Sequence, residues 1–173
     1  MRRGPARRSR GLTLLEFVVC FAIVLVFVGV LLERLTFYQE AAEKAAMEFT
    51  VSTLKRALQL RVGTPLAEHR QVDFAAVVQE NPVSWLETPM PGYRGEFGPA
   101  EAQLLPPGSW YFDRERRELV YLVDNGRYFA PDRAGKKRVR LHVRVVKAQA
   151  GARNADAAVI GLQFVPVEPY RWL

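Results

Sequence analysis

The chain has 173 residues with 49% hydrophobic content and a net charge of +7, enough apolar matter for one packed domain and too much for wholesale disorder. Five of its 25 bases, Arg2, Arg3, Arg7, Arg8 and Arg10, lie in the first eleven residues, which hold no acid, so the remainder carries only +2. The basic character therefore belongs to an N-terminal arm and not to a nucleic-acid-binding domain. The single cysteine, Cys20, excludes an intramolecular disulfide framework and a cysteine metal site.

After the basic arm, residues 1–11, comes Leu12, and from Phe17 to Leu32 no residue is charged. Residues 12–32 contain one charge, Glu16. At about 1.5 Å per residue this stretch would span roughly 31 Å as a helix, the thickness of a bilayer core. The arginines ahead of it place the N-terminus in the cytoplasm and the rest of the chain across the inner membrane, in the periplasm. A secretory signal peptide has a shorter apolar region followed by an A-x-A-like cut, and neither fits here. A plain uncleaved anchor fits the hydropathy but leaves Glu16 unexplained. At mid-membrane an acid costs about 2.5–3.5 kcal/mol, less near the head groups, and by default it calls for a partner.

The order is basic arm, Gly11, then Leu12-Thr13-Leu14-Leu15-Glu16-Phe17-Val18-Val19 and the apolar run. This resembles the prepilin processing motif of type IV pilins and type II secretion pseudopilins. The resemblance implies cleavage by a prepilin peptidase between Gly11 and Leu12, and N-methylation of Leu12. Thr13, Leu14 and Leu15 match the motif. Glu16 corresponds to the acid that faces the terminal amine of a neighbouring subunit during assembly. Leu12 departs from the usual phenylalanine, and the disulfide of many major pilins is missing, which points to a minor pilin or a pseudopilin. An acid beside a cationic amine in low dielectric forms a charge-assisted pair that fixes register between subunits.

No proline or glycine lies between Gly29 and Gly63, and residues 31–61 are rich in strong helix formers. One helix is predicted over residues 12–62, about 76 Å long, ended by Gly63-Thr64-Pro65. Leu35, Tyr38, Ala42, Ala45, Phe49, Val51, Leu54 and Leu58 recur at helical spacing and should face a sheet. Glu33, Gln39, Glu40, Glu43, Lys44 and Arg56 should face away, with Glu40 and Lys44 as an i,i+4 pair.

Residues 63–108 hold seven of the eleven prolines and read as loop, apart from a short helix over residues 72–79. Trp85, Leu86, Tyr93 and Phe97 read as anchors from this loop into the core. In residues 109–173, strands are predicted at 109–113, 118–124, 138–147 and 158–165. The first two form a hairpin through Arg114–Arg117, and Asp124-Asn125-Gly126 makes a turn. Val139, Leu141, Val143 and Val145 alternate with Arg138, Arg140, His142 and Arg144. One helix followed by four strands gives an α+β fold, a long helix on an antiparallel sheet. The pilin resemblance implies the same shape.

Catalytic and metal motifs are missing from the sequence. His69 and His142 have no ligand-spaced companions, and neither a phosphate loop nor a nucleophile elbow occurs. A calcium loop around Asp124, Asn125 and Asp132 lacks a recognised pattern. The basic face Lys136, Lys137, Arg138, Arg140, Arg144 and Lys147 lacks interleaved aromatics, so DNA binding is disfavoured. The expectation is a non-enzymatic filament subunit without a cofactor, whose partners are the peptidase, other pilin or pseudopilin subunits and the membrane. Its rivals are a pilus-borne adhesin or DNA receptor, and an uncleaved membrane-anchored periplasmic protein.

Overall fold

The computed structural model of the chain describes residues 13–147 and 159–172. Gly11, Leu12, the arm before them and the first residue of the last predicted strand lie outside these. Helix α1 runs Leu14–Ala67. The chain divides into two units between Gln39 and Glu40.

In the first unit every described residue, 13–39, is exposed. Phe17 is 60% and Phe27 71% exposed, so this apolar surface is open among the described residues. Among the described residues α1 is the one helix long and apolar enough to cross a membrane.

The second unit holds the core. A five-stranded sheet has the order β1 (Tyr93–Phe97), β2 (Trp110–Asp113), β3 (Glu118–Leu122), β4 (Arg138–Lys147), β5 (Val159–Pro166). Three of the four pairings are antiparallel, and β1 runs parallel to β2. One sheet face carries Phe112, Leu119, Tyr121, Val139, Leu141, Val143 and Phe164, which pack with Met47, Leu54 and Leu58 of α1. The other carries Tyr111 and Val120, covered by Ala102, Phe97 and Leu105. All four residues of β2 are therefore buried, although they alternate in direction. Trp85, Leu86 and Tyr93 pack on the main core and Phe97 on the smaller one, so the four predicted anchors do reach into it.

The structure corrects three predictions. First, α1 passes through Gly63-Thr64-Pro65 and ends at Ala67. The ring of Pro65 has the helical φ and removes only one bond to the preceding turn. The helix stops instead at His69, which has φ 57°. Its N–H donates to Leu66 O, and Arg70 N–H donates to Pro65 O, the paired bonds of a Schellman cap. Second, β1 lies within the presumed loop 63–108. Its Tyr-Arg-Gly-Glu-Phe alternation is hidden among prolines and glycines, and parallel pairing to β2 gives no hairpin signal. The sheet thus has five strands instead of four and is not wholly antiparallel. Third, the buried stripe of α1 is rotated from the predicted one. Glu40, Met47, Leu54 and Leu58 are buried, with Glu43, Lys44 and Val51 part-buried, whereas Phe49 is 73% exposed.

The short helix α2 is Phe74–Gln79, capped by Asp73, whose carboxylate accepts from the N–H groups of Ala75 and Ala76. The strand predicted at 138–147 matches β4, and Val139, Leu141 and Val143 point inward as the alternation requires.

Candidate functional site

Two places on α1 combine charge with unusual surroundings. The first is its start. Thr13 precedes the first helical residue, and its Oγ1 accepts the Glu16 N–H at 3.3 Å. Its carbonyl accepts the Phe17 N–H at 3.0 Å. Thr13 is thus the N-cap and Glu16 stands three residues on, the threonine half of a capping box. The T-x-x-E spacing carries this capping signal in the sequence, on the same residues that match the processing and assembly motif. An acid in the first turn is also favoured by the helix dipole. Leu14 and Leu15 are 83% and 75% exposed. The Glu16 side chain is exposed and forms no ion pair among the described residues. Gly11 and Leu12, the expected cleavage site, lie outside the described residues.

The second place is the head of the docked half of α1, where Glu40, Glu43 and Lys44 meet the sheet domain. Glu40 is 1% exposed. Its Oε1 accepts the Tyr128 N–H at 2.8 Å and the Trp172 Nε1–H at 2.9 Å. Lys44 Nζ donates to the Trp172 carbonyl at 2.8 Å. Glu43 accepts from the Tyr121 hydroxyl, the N–H groups of Asp124 and Asn125, and the Asn125 side-chain amide. The predicted solvent face of this turn is therefore its most heavily bonded face. Glu40 and Lys44 each bind the 169–172 segment instead of each other. Trp172 is held further by a β-bridge to Phe129 and ring contacts with Tyr121 and Phe129. Burial raises the Tyr121 pKa far above the usual phenol value, and the hydrogen bond to the Glu43 carboxylate raises it further. The hydroxyl remains a donor throughout the ordinary pH range.

The other residues singled out by the sequence have structural engagements. Asp132 Oδ1 accepts from the N–H groups of Ala134 and Lys136, and Oδ2 accepts from Arg138 at 2.6 Å. Burial alone would raise the Asp132 pKa. The Lys136 N–H, the Arg138 guanidinium and the Ala134 N–H outweigh it and hold the carboxyl below its usual range. The amides of Asp124 and Asn125 face Glu43, and among the described residues no group of three metal-ligating side chains assembles. In the basic row, Arg138 is spent on Asp132, and Arg140 on Glu168 at 2.8 Å and Glu118 at 3.5 Å. Arg144 reaches Gln163 at 3.4 Å. Two of the six cations are thus neutralised inside the fold. His69 serves the helix cap and His142 lies on β4, so the two histidines do not share a site.

Comparison with protein-family models, with curated proteins and with solved structures finds no match to this chain.

Proposed function

We propose that this chain is the precursor of a minor pilin or pseudopilin, a non-enzymatic subunit that enters a type IV pilus or type II secretion pseudopilus through its N-terminal helix. A prepilin peptidase cuts after Gly11, Leu12 becomes the methylated terminus, and Glu16 pairs with the terminal amine of a neighbour. The helix sits in the inner membrane with its start on the cytoplasmic side. The sheet domain faces the periplasm and then the filament surface.

The observation that carries this reading is Glu16. It is the one charge in the described part of an exposed apolar helix, residues 13–32, and it has no ion-pair partner among the described residues. An acid in that setting calls for a cation from another molecule. The capped start at Thr13 supports the reading, because it fixes the first turn and hence the direction in which Glu16 projects. The exposed apolar surface of residues 13–39 also fits burial in lipid and later among like helices. Internal pairing of Arg138 and Arg140 argues against a DNA receptor.

The test is the intact mass of membrane-extracted protein co-expressed with a prepilin peptidase. The expected species lacks residues 1–11 and carries one methyl on Leu12. Replacement of Gly11 abolishes both changes, and Glu16→Ala leaves processing intact but blocks incorporation into filaments. An unprocessed chain, under conditions that cut a control prepilin, overturns the proposal and leaves a membrane-anchored domain.

A further inference from the structure

The two edges of the sheet are built differently. The β1 edge is blunted. It has five residues, two of them charged, Arg94 and Glu96, with Gly95 at φ 120° and an irregular register against β2. Such devices discourage a further strand from pairing. The β5 edge has none of them along its regular part. Gly161 to Pro166 pair residue for residue with Val146 to Leu141, after an offset that leaves Ile160 unpaired. From Gly161 to Val165 there is no charge and no proline. Since β5 is the last strand of the sheet, its outward N–H and C=O groups have no strand partner among the described residues.

Beside that edge lies a groove of about 290 Å³ between β5 and α1, lined by Lys55, Leu58, Gln59 and Leu162 to Val165. Leu58 and Phe164 form its apolar floor, at 3% and 2% exposure. Lys55 is its one charged residue, and it is exposed and in no ion pair among the described residues. A strand laid along β5 would send alternate side chains into this groove.

We propose that the β5 edge and its groove receive an extended segment of another protein. The segment adds a sixth strand through main-chain hydrogen bonds, places an apolar side chain over Leu58 and Phe164, and brings a carboxylate to Lys55. Charge complementarity selects this occupant over a second copy paired β5 to β5, because β5 from Gly161 to Val165 has no acid to offer Lys55, and the blunted β1 edge that carries Glu96 is poorly built to pair. The surface is independent of leader processing, so the inference stands whether or not Gly11 is cut.

The test uses the full chain in lipid nanodiscs and a labelled, capped heptapeptide of alternating valine and threonine with one glutamate. Methylating alternate backbone nitrogens of the peptide should weaken binding at least about tenfold, since it removes the pairing donors. Gly161→Lys, where an added carbon meets no atom within 4 Å, should do the same with unchanged thermal unfolding. Lys55→Glu should reverse the preference between the glutamate peptide and its lysine counterpart. No binding, or equal binding of the methylated peptide, overturns the proposal. So does a dimer of the full chain that Gly161→Lys dissociates, because the occupant would then be a second copy.

Discussion

Glu40 and Trp172, 132 residues apart, meet at 2.9 Å, the indole N–H donating to a carboxylate that is 1% exposed. The same oxygen takes the Tyr128 N–H. One side chain of α1 therefore closes both the 128–130 loop and the 169–172 segment onto the helix. A charge so placed is tolerated because its hydrogen bonds replace those to water.

Removing that acceptor should cost more than removing its charge. Glu40→Ala removes the acceptor of the buried Trp172 indole N–H and of the part-buried Tyr128 N–H, and is expected to destabilise the domain by about 3 kcal/mol. Glu40→Gln keeps an oxygen in place and should cost about 1 kcal/mol. Urea unfolding followed by near-UV circular dichroism checks the order. Equal losses would show that the charge, and not the acceptor, matters.

Tyr121 links stability to alkaline pH. Its folded pKa is raised, first by burial and then by Glu43, so folding holds a proton that the unfolded chain releases near pH 10. This contribution is complete below that pH and is lost as pH rises beyond it. The domain should weaken steadily above pH 10, and Glu43→Gln should weaken less steeply because the raising carboxylate is gone. Unfolding curves at successive alkaline pH values, read with tyrosinate absorbance, measure both slopes.

Asp132 works in the opposite direction. Its folded pKa is lowered, so its stabilising effect is present above the ordinary carboxylate value of about 3.9 and fades as pH falls below it. Its side chain is 3% exposed and that of Arg138 15%. Asp132→Ala, which strands Arg138, is expected to cost about 3 kcal/mol near neutrality. The acid limb of the stability curve should flatten in the same variant.

His69 holds the left-handed position that ends α1, with φ 57°. Glycine adopts that conformation without the clash between Cβ and the carbonyl. His69→Gly should raise the stability of the helix end by about 0.5–1 kcal/mol. Slower amide exchange at His69 and Arg70 reports it directly, and faster exchange would contradict the cap.

The sequence made strands β2 to β5 legible because alternation and turn residues are local signals. The long helix was equally plain from its composition. The rotation of its buried face was not, since apolarity placed Phe49 inside and Glu40 outside. What draws Glu40 inward is a pair of partners, Tyr128 and Trp172, that no window around residue 40 contains. The same holds for β1, whose partner is parallel and lies across a proline-rich connection. At the helix start, the T-x-x-E spacing contains the Thr13 cap, a local signal that overlaps the processing motif. The pairing of Arg138 with Asp132 was also within local reach, only six residues apart, yet strand alternation alone presented Arg138 as solvent-facing.

The order in which this molecule is made runs against the order in which it closes. Residues 40–58, with Met47, Leu54 and Leu58, leave the ribosome well before Phe164 and Trp172. At about 5–20 residues per second, Glu40 waits roughly 7–26 s for its indole partner. During that interval an apolar helix face has no sheet to cover it, and contacts of such long sequence separation form slowly even when the chain is complete. The growing polypeptide therefore presents an uncovered hydrophobic stripe directly after the exposed apolar segment 13–39, which is where a chaperone acting during synthesis would have to bind.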